Sequence, residues 1–218
     1  MATTKKSGTA KRAKAGEAKQ APFDLRAHDW HSLDYVQEWI SRDVTRDDER
    51  RPVIRRMLAL LPFNAAMPLE VLDVGAGYGI FASEVLRAFP RARVTLQDYS
   101  WPMLAQARRR LAAFAGRTRY VQGDLTRPSW TTAAGGPFDV AVSSLAIHNL
   151  QNPALIAACY RAIGGVLKRG GYFLDYDHFK YAGGAGQHLA MIKRGGFGPV
   201  DCVWSEGPSA VVRARKAA

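Results

Sequence analysis

Leu69-Glu70-Val71-Leu72-Asp73-Val74-Gly75-Ala76-Gly77-Tyr78-Gly79 is the stretch that decides the fold. Its first six residues are a short valine- and leucine-rich run, the mark of a buried strand. Gly75, Gly77 and Gly79 let the chain turn tightly after that strand and let backbone approach a ligand. Residues 80–89 then read as a helix stopped by Pro90, and its N-terminus brings exposed N–H groups to the same place. Dinucleotide sites space their glycines G-x-G-x-x-G. Here the third glycine comes one residue early, and Ile80 stands where that pattern needs glycine or alanine. The Gly-Lys-Ser/Thr ending of a P-loop is missing too. The loop therefore suits a nucleoside-like ligand without a pyrophosphate, and a nicotinamide oxidoreductase is disfavoured.

Downstream, strands alternate with helices. Residues 93–97, 119–122, 138–144 and 172–176 read as strands, and residues 102–115, 153–167 and 187–193 as helices. Ser100 stands at an N-cap position with Pro102 in the first turn behind it. Residues 200–205 and 210–214 are joined only by Glu206-Gly207-Pro208-Ser209, too short for a parallel crossover, so they predict an antiparallel hairpin. The expected fold is α/β: a Rossmann-like, seven-stranded, mostly parallel sheet with an antiparallel terminal hairpin and helices on both faces. Upstream, Trp30, Leu33, Val36, Gln37 and Ile40 recur near helical spacing. A second helix is expected over residues 47–61, where Pro52 is tolerated only near the first turn. The chain thus divides into a basic, disordered tail (1–22), an N-terminal helical cap (23–64) and the α/β domain (65–218). No internal repeat is visible.

Two acids complete the pattern. Asp98 follows the second strand and can accept both hydroxyls of a ribose. Asp124, within Gly123-Asp124-Leu125, follows the third strand, where its carboxylate can receive an exocyclic amine while Leu125 covers an adenine face. Glycine loop and acids all lie at carboxyl ends of adjacent parallel strands, the crevice where open α/β sheets bind ligands.

In this order these segments resemble the class I S-adenosylmethionine-dependent methyltransferases of small-molecule type. Leu72–Gly79 looks like their first motif. Gln97-Asp98-Tyr99-Ser100 with Met103, Leu104 and Ala107 resembles the second, and Gly123-Asp124 the adenine-contacting acid. Val166-Leu167-Lys168-Arg169-Gly170-Gly171 is similar to their Leu-Lys-Pro-Gly-Gly turn, with arginine replacing proline. The likeness covers roughly residues 69–214. It implies S-adenosylmethionine as cofactor and S-adenosylhomocysteine as product, with Asp98 on the ribose and Asp124 on the adenine amine. Gly75, Ala76, Gly77 and Gly79 would lie near the methionine part, and Tyr99, Met103, Gly123, Leu125 and Ser143 complete the cofactor-binding set. Asp73 belongs to that set by ordering the loop.

A sulfonium methyl is already activated, so such an enzyme mainly aligns donor and acceptor. A base is needed only where the acceptor must lose a proton early. His148, after the fourth strand in Ser143-Ser144-Leu145-Ala146-Ile147-His148-Asn149, is the catalytic candidate. An equally weighted reading makes it a hydrogen-bonded lid or cap residue. Asp175-Tyr176-Asp177-His178 is expected as a polar cluster at the same mouth, so Tyr176, Asp177, His178 and Asn149 join His148 as acceptor contacts. A metal held by Asp175, Asp177 and His178 is disfavoured, since close Asp and His are common without one. Trp30, Tyr35 and Trp39 would wall the acceptor site, against the plainer alternative of core packing.

Composition narrows the acceptor less. The first 20 residues carry +5 of the +12 net charge, leaving +7 for the remainder. With almost nothing to bury, that tail reads as a solubilising extension ahead of an arm for phosphate backbones. The Asn/Asp-Pro-Pro-Tyr/Phe segment of base-amino methyltransferases is missing after strand four. Cys159 and Cys202 fit no cytosine nucleophile or disulfide framework and read as small buried hydrophobes in a cytoplasmic protein. No run approaches a membrane span. The leading expectation is methyl transfer to O, N or C of a small molecule. The alternatives are an RNA or other macromolecular acceptor, and a non-catalytic donor-binding module.

Overall fold

A computed structural model describes residues 28–180 and 183–217, so the expected basic tail and the start of the helical cap lie outside the described residues. Seven strands, β1 (Glu70–Val74), β2 (Arg93–Asp98), β3 (Thr118–Gln122), β4 (Phe138–Ser144), β5 (Leu167–His178), β6 (Phe197–Glu206) and β7 (Ser209–Lys216), form one sheet. Their order is β3-β2-β1-β4-β5-β7-β6. Only β7 runs antiparallel to its neighbours, β5 and β6. β1 pairs in parallel with both β2 and β4, so sheet growth reverses between β1 and β4 and opens the ligand crevice there. The expected architecture is the observed one.

The helices are α1 (Leu33–Asp43), α2 (Asp47–Leu58), α3 (Ile80–Ala88), α4 (Trp101–Arg110), α5 (Ser129–Ala134), α6 (Pro153–Val166) and α7 (Ala185–Arg194). Alternation along the strands sorts the core into two layers. Val71, Val140, Val142 and Leu174 cluster with Ile54 and Met57 of α2, Phe81 and Val85 of α3 and Leu104 of α4. Leu72, Ala141, Phe173 and Val212 cluster with Trp130 of α5, Ile156 and Tyr160 of α6 and Ile192 of α7. A smaller cluster of Val36, Tyr78 and Met103, joined by Trp30, Tyr35, Trp39 and Ile40, fastens α1 to the glycine loop.

Local expectations are corrected at several points. Pro52 lies inside α2, beyond its first turn, and the helix ends at Leu58 rather than residue 61. α5 and a 3₁₀ turn over Ile147–Leu150 are additions: both are too short to carry a helical period. Residues 168–171 form a bulge within β5 rather than a turn before it. Pairing with β4 jumps from Phe138↔Leu167 to Val140↔Tyr172, and Gly170 supplies the positive φ of +74°. Cys159 is buried in α6 as expected, but Cys202 is exposed, since β6 is an edge strand. Among the described residues no helix is long and apolar enough to cross a membrane.

Candidate active site

At the carboxyl ends of the strands lies a cavity of about 690 Å³, within the size range of small-molecule and cofactor pockets. The glycine loop forms its floor. Gly75, Gly77 and Gly79 all adopt positive φ, at +65°, +52° and +82°. A Cβ on Gly75 would come 2.3 Å from the Cβ of Ala146, so the loop after β1 is pressed against the loop after β4. Gly79 has a different task. It caps α3 and packs beneath Ala107 and Leu111, whose side chains would meet an added Cβ at 3.2 Å.

Asp73 stays below the cavity. It is buried, and its Oδ2 accepts from the Ala82 N–H at 3.0 Å, tying α3 back to β1. Burial pushes its carboxyl up to about 7 against that hydrogen bond. Gln97 makes a similar tie: its Nε2 donates to the Gly123 carbonyl at 2.7 Å, and its Oε1 accepts from Gly75 N–H at 3.3 Å. This fully buried glutamine joins two of the expected ligand loops, a role its place within an apolar strand does not advertise.

Asp98 is held at the tip of β2. Its Oδ2 accepts from Gly77 N–H and its Oδ1 from Ser100 N–H, both at 2.8 Å. Burial raises its pKa while those donors pull it down. Asp124 is partly buried; its Oδ1 accepts from the backbone N–H and hydroxyl of Thr126 at 2.9 and 2.7 Å. Both carboxylates line the cavity with Gly75, Ala76, Gly77, Tyr99, Met103 and Leu125. The arrangement fits S-adenosylmethionine: the floor has no Cβ at Gly77, and two carboxylates face the cavity.

The cap closes one side. Trp39 packs edge-on against Trp30 and Tyr78, and His31 lies 4.5 Å from the Tyr99 ring. The Tyr78 hydroxyl is 2.7 Å from Asp47 and 3.0 Å from Asp43. Arg50 chelates Asp43, Arg110 pairs with Asp47, and the Arg110 guanidinium sits 4.8 Å over the Tyr78 ring. Tyr78, to which the sequence reading gives no role, thus anchors the cap to the loop. Its signal is a large aromatic between two glycines. Ser100 adds a second anchor, its hydroxyl donating to the Trp30 carbonyl.

The far side carries His148. Its backbone N–H donates to Asp177 Oδ2 at 2.9 Å, and its Nδ1 pairs with Asp177 Oδ1. The His178 ring lies 5.2 Å away, with its Nδ1 2.9 Å from the Ser209 hydroxyl. Burial, then the neighbouring His148, Lys180 and Arg46, hold the His178 pKa below its ordinary value, with Asp177 opposing. Asn149 brings a buried Oδ1 that has no hydrogen-bond partner. Leu145 sits at φ +53°, a strained geometry for a branched residue, where β4 turns into the cavity wall.

His148, His178, Asn149 and Trp30 line the same cavity as Asp98 and Asp124. Several expected contacts do not. Ser143 is buried, donates to the Val74 carbonyl at 3.0 Å and leaves the cavity to Ser144. Gly123 packs against Trp130. Tyr35 packs on Trp30, and Tyr176 on Trp204. Asp177 lies beneath His148 rather than facing the cavity. Asp175 is not at the mouth at all. Strand alternation buries it on the α6/α7 face, where Tyr160 donates to it at 3.4 Å and also lies 2.8 Å from His188. Among the described residues no cluster of three metal-binding side chains exists.

Comparison with known proteins agrees with this geometry. A family model described as a methyltransferase domain matches residues 71–171. Trans-aconitate 2-methyltransferase of Paracidovorax citrulli is 33% identical over 64% of this chain and 49% of its own length. Release factor glutamine methyltransferase of Chlorobaculum tepidum is 39% identical over 40% of this chain and 30% of its own. The chain thus spans less than half the length of these relatives. An O-methyltransferase family protein from Burkholderia thailandensis superimposes with a TM-score of 0.70 at 16% identity, over 88% of this chain and 61% of that one, a likeness of fold. Residues 71–171 carry a methyltransferase domain, and with the glycine loop, the two strand-end acids and the β3-β2-β1-β4-β5-β7-β6 sheet these likenesses support a class I S-adenosylmethionine-dependent methyltransferase.

Proposed function

We propose that the protein transfers the methyl group of S-adenosylmethionine to a small-molecule acceptor, with His148 as general base. The observation that carries this reading is one cavity shared by the glycine loop, Asp98 and Asp124 on one side and His148 on the other. When bound, the donor supplies a methyl on a sulfonium, and the sulfur–carbon electron pair returns to sulfur as the methyl leaves. Asp98 accepts the ribose hydroxyls, Asp124 the adenine amine, and Leu125 covers the base. Asp177 holds Nδ1 of His148 protonated, so Nε2 carries the lone pair that takes the acceptor's proton. The partnerless Oδ1 of Asn149 offers a second hydrogen-bond acceptor beside it. Trp30 and Trp39, from the cap, exclude water. The division into tail, cap and donor-binding domain, and a cytoplasmic location suggested by two free cysteines, belong to the same reading.

Calorimetric titration with S-adenosylmethionine tests it, beside an Asp98→Ala variant and NAD as control. Micromolar binding lost in the variant supports the donor site. Silence toward both cofactors sinks it. Turnover is then read as S-adenosylhomocysteine release with metabolite panels.

A macromolecular acceptor is the second reading, favoured by the net charge of +12. Relatives include ribosomal RNA small subunit methyltransferase C of an Enterobacter species, 31% identical over 46% of this chain. RNA binding that weakens steeply with salt would favour it.

A further inference from the structure

β5 ends at the cavity in His178 and begins, roughly 30 Å away at the usual rise of a strand, with Lys168 and Arg169. Neighbouring elements bring more positive charge to that beginning. β7 runs antiparallel to β5, so its last residues, Arg215 and Lys216, lie there, and α7 ends close by in Lys193 and Arg194. Contacts draw the group together. Arg215 Nε donates to the Gly170 carbonyl at 3.2 Å, and Lys216 Nζ donates to the Gly164 carbonyl. A Cβ added to Gly195, just after α7, would lie 3.3 Å from the backbone nitrogen of Arg161 in α6.

Little negative charge answers it. At the same end of the sheet, Asp139 on β4 is held by Lys168 at 2.8 Å, and Glu70 stands one strand further on, at the start of β1. Arg161, Arg169, Lys193, Arg194 and Arg215 are exposed, and among the described residues none of the five has a carboxylate within ion-pairing distance. The dipole of α7 favours cations in its last turn, which accounts for Lys193 and Arg194 alone. Solubility needs net charge anywhere on the surface, not gathered where three elements meet.

The face is also free of the side chains that other partners need. Among the described residues no exposed large apolar side chain belongs to α6, α7, β5 or β7. A membrane surface is gripped with inserted apolar residues, a protein partner with buried aromatic anchors, and a single strand with stacking platforms. A duplex backbone needs none of these. We propose that this face docks the phosphate backbone of a nucleic-acid duplex, as a partner separate from the methyl acceptor. Arginine forks match phosphate oxygens in paired, charge-assisted bonds, and such contacts carry no base information. A duplex lying on this face leaves the cavity clear at the other end of the sheet. The docking surface therefore neither needs nor tests the methyl-transfer reading.

The test is fluorescence anisotropy of the full chain with a short labelled DNA duplex over a series of salt concentrations. Affinity should fall steeply with salt, because neutralised phosphates release counterions. Arg169→Gln, Lys193→Gln and Arg194→Gln together should weaken binding at least about tenfold and make the logarithmic salt slope shallower by about 2 to 3. Arg42→Gln, Arg46→Gln and Arg127→Gln together remove the same charge from the cavity end and should cost less than about threefold. Circular dichroism checks the fold of each variant. Arg169→Gln alone, in an exposed bulge, should still reduce the slope by about 1. Saturation with S-adenosylhomocysteine should leave duplex binding unchanged. Five results would each overturn the proposal: no duplex binding at about 50 mM salt; equal losses in the two triple variants, which assign binding to overall charge; duplex binding weakened by S-adenosylhomocysteine, which places it at the cavity; tighter binding of a single strand of the same length; or tighter binding of phosphatidylserine vesicles or polyglutamate, which names another class of partner.

Discussion

Asp177 grips His148 at two points: Oδ2 accepts the backbone N–H at 2.9 Å, and Oδ1 pairs with Nδ1. The first contact fixes where the residue sits, and the second fixes which ring nitrogen carries the proton. Asp177→Asn retains the shape but supplies an N–H toward Nδ1. That favours the tautomer with the proton on Nε2, where the proposed base needs a lone pair. The turnover number should fall about 10²- to 10⁴-fold, the usual contribution of a positioned base. Donor affinity should stay within about twofold, because Asp177 does not line the cavity. Steady-state kinetics beside calorimetry measures both. Near-normal turnover would return His148 to the role of a cap residue.

Asp98 ties the glycine loop to β2 while leaving its carboxylate at the cavity. Asp98→Ala removes the proposed ribose acceptor and two backbone anchors at once. S-adenosylmethionine affinity should drop about 10- to 100-fold, the worth of one or two charge-assisted bonds. Asp98→Asn can still accept one backbone N–H, so it should lose less. Calorimetry that finds the two variants equal would mean the carboxylate charge plays no part.

The strand order and the terminal hairpin were legible because apolar runs, breakers and a four-residue link constrain them locally. The two cavity-lining acids, Asp98 and Asp124, were legible for a related reason: an acid directly after a parallel strand sits at the crevice. Less visible were features set by alternation and distant contact. Asp175 and Asp177 are two residues apart and look alike in sequence. Both point to the α6/α7 side, but only Asp177 meets the backbone of the turn after β4. Tyr78 joins the cap through Asp43 and Asp47, more than 30 residues away in sequence, a partnership no local pattern encodes.

Gly75 and Gly77 have similar φ values but different surroundings. Gly75→Ala forces its Cβ to within 2.3 Å of Ala146, on top of the backbone strain. Gly77→Ala meets nothing within 4 Å and pays only for the strained φ. Chemical denaturation should record a loss of about 3 kcal/mol or more for the first and about 1 kcal/mol for the second. Both should weaken donor binding, since both glycines line the cavity. Equal stability losses would mean the β1 and β4 loops are not packed together.

Two buried groups should tilt stability against pH in opposite directions. Asp73 is pushed up to about 7 by burial, so the folded protein holds its proton more tightly than the unfolded chain. Its contribution is complete below about pH 4 and is lost as pH rises toward 7. His188, buried against Tyr160 and Phe179, is pushed down to about 4. Its contribution is complete above about pH 6.5 and is lost as pH falls toward 4. Over the same window the two slopes oppose each other in the wild type. Asp73→Asn keeps an acceptor for the Ala82 N–H but removes the titration, so unfolding free energy should rise more steeply with pH than in the wild type. His188→Gln keeps a partner for Tyr160 and should do the reverse. Each full proton of difference changes the slope by about 1.4 kcal/mol per pH unit. Urea denaturation at intervals from about pH 4.5 to 7.5 measures the two differences from wild type, and slopes that changed in the same direction for both variants would refute the assignment of one of them.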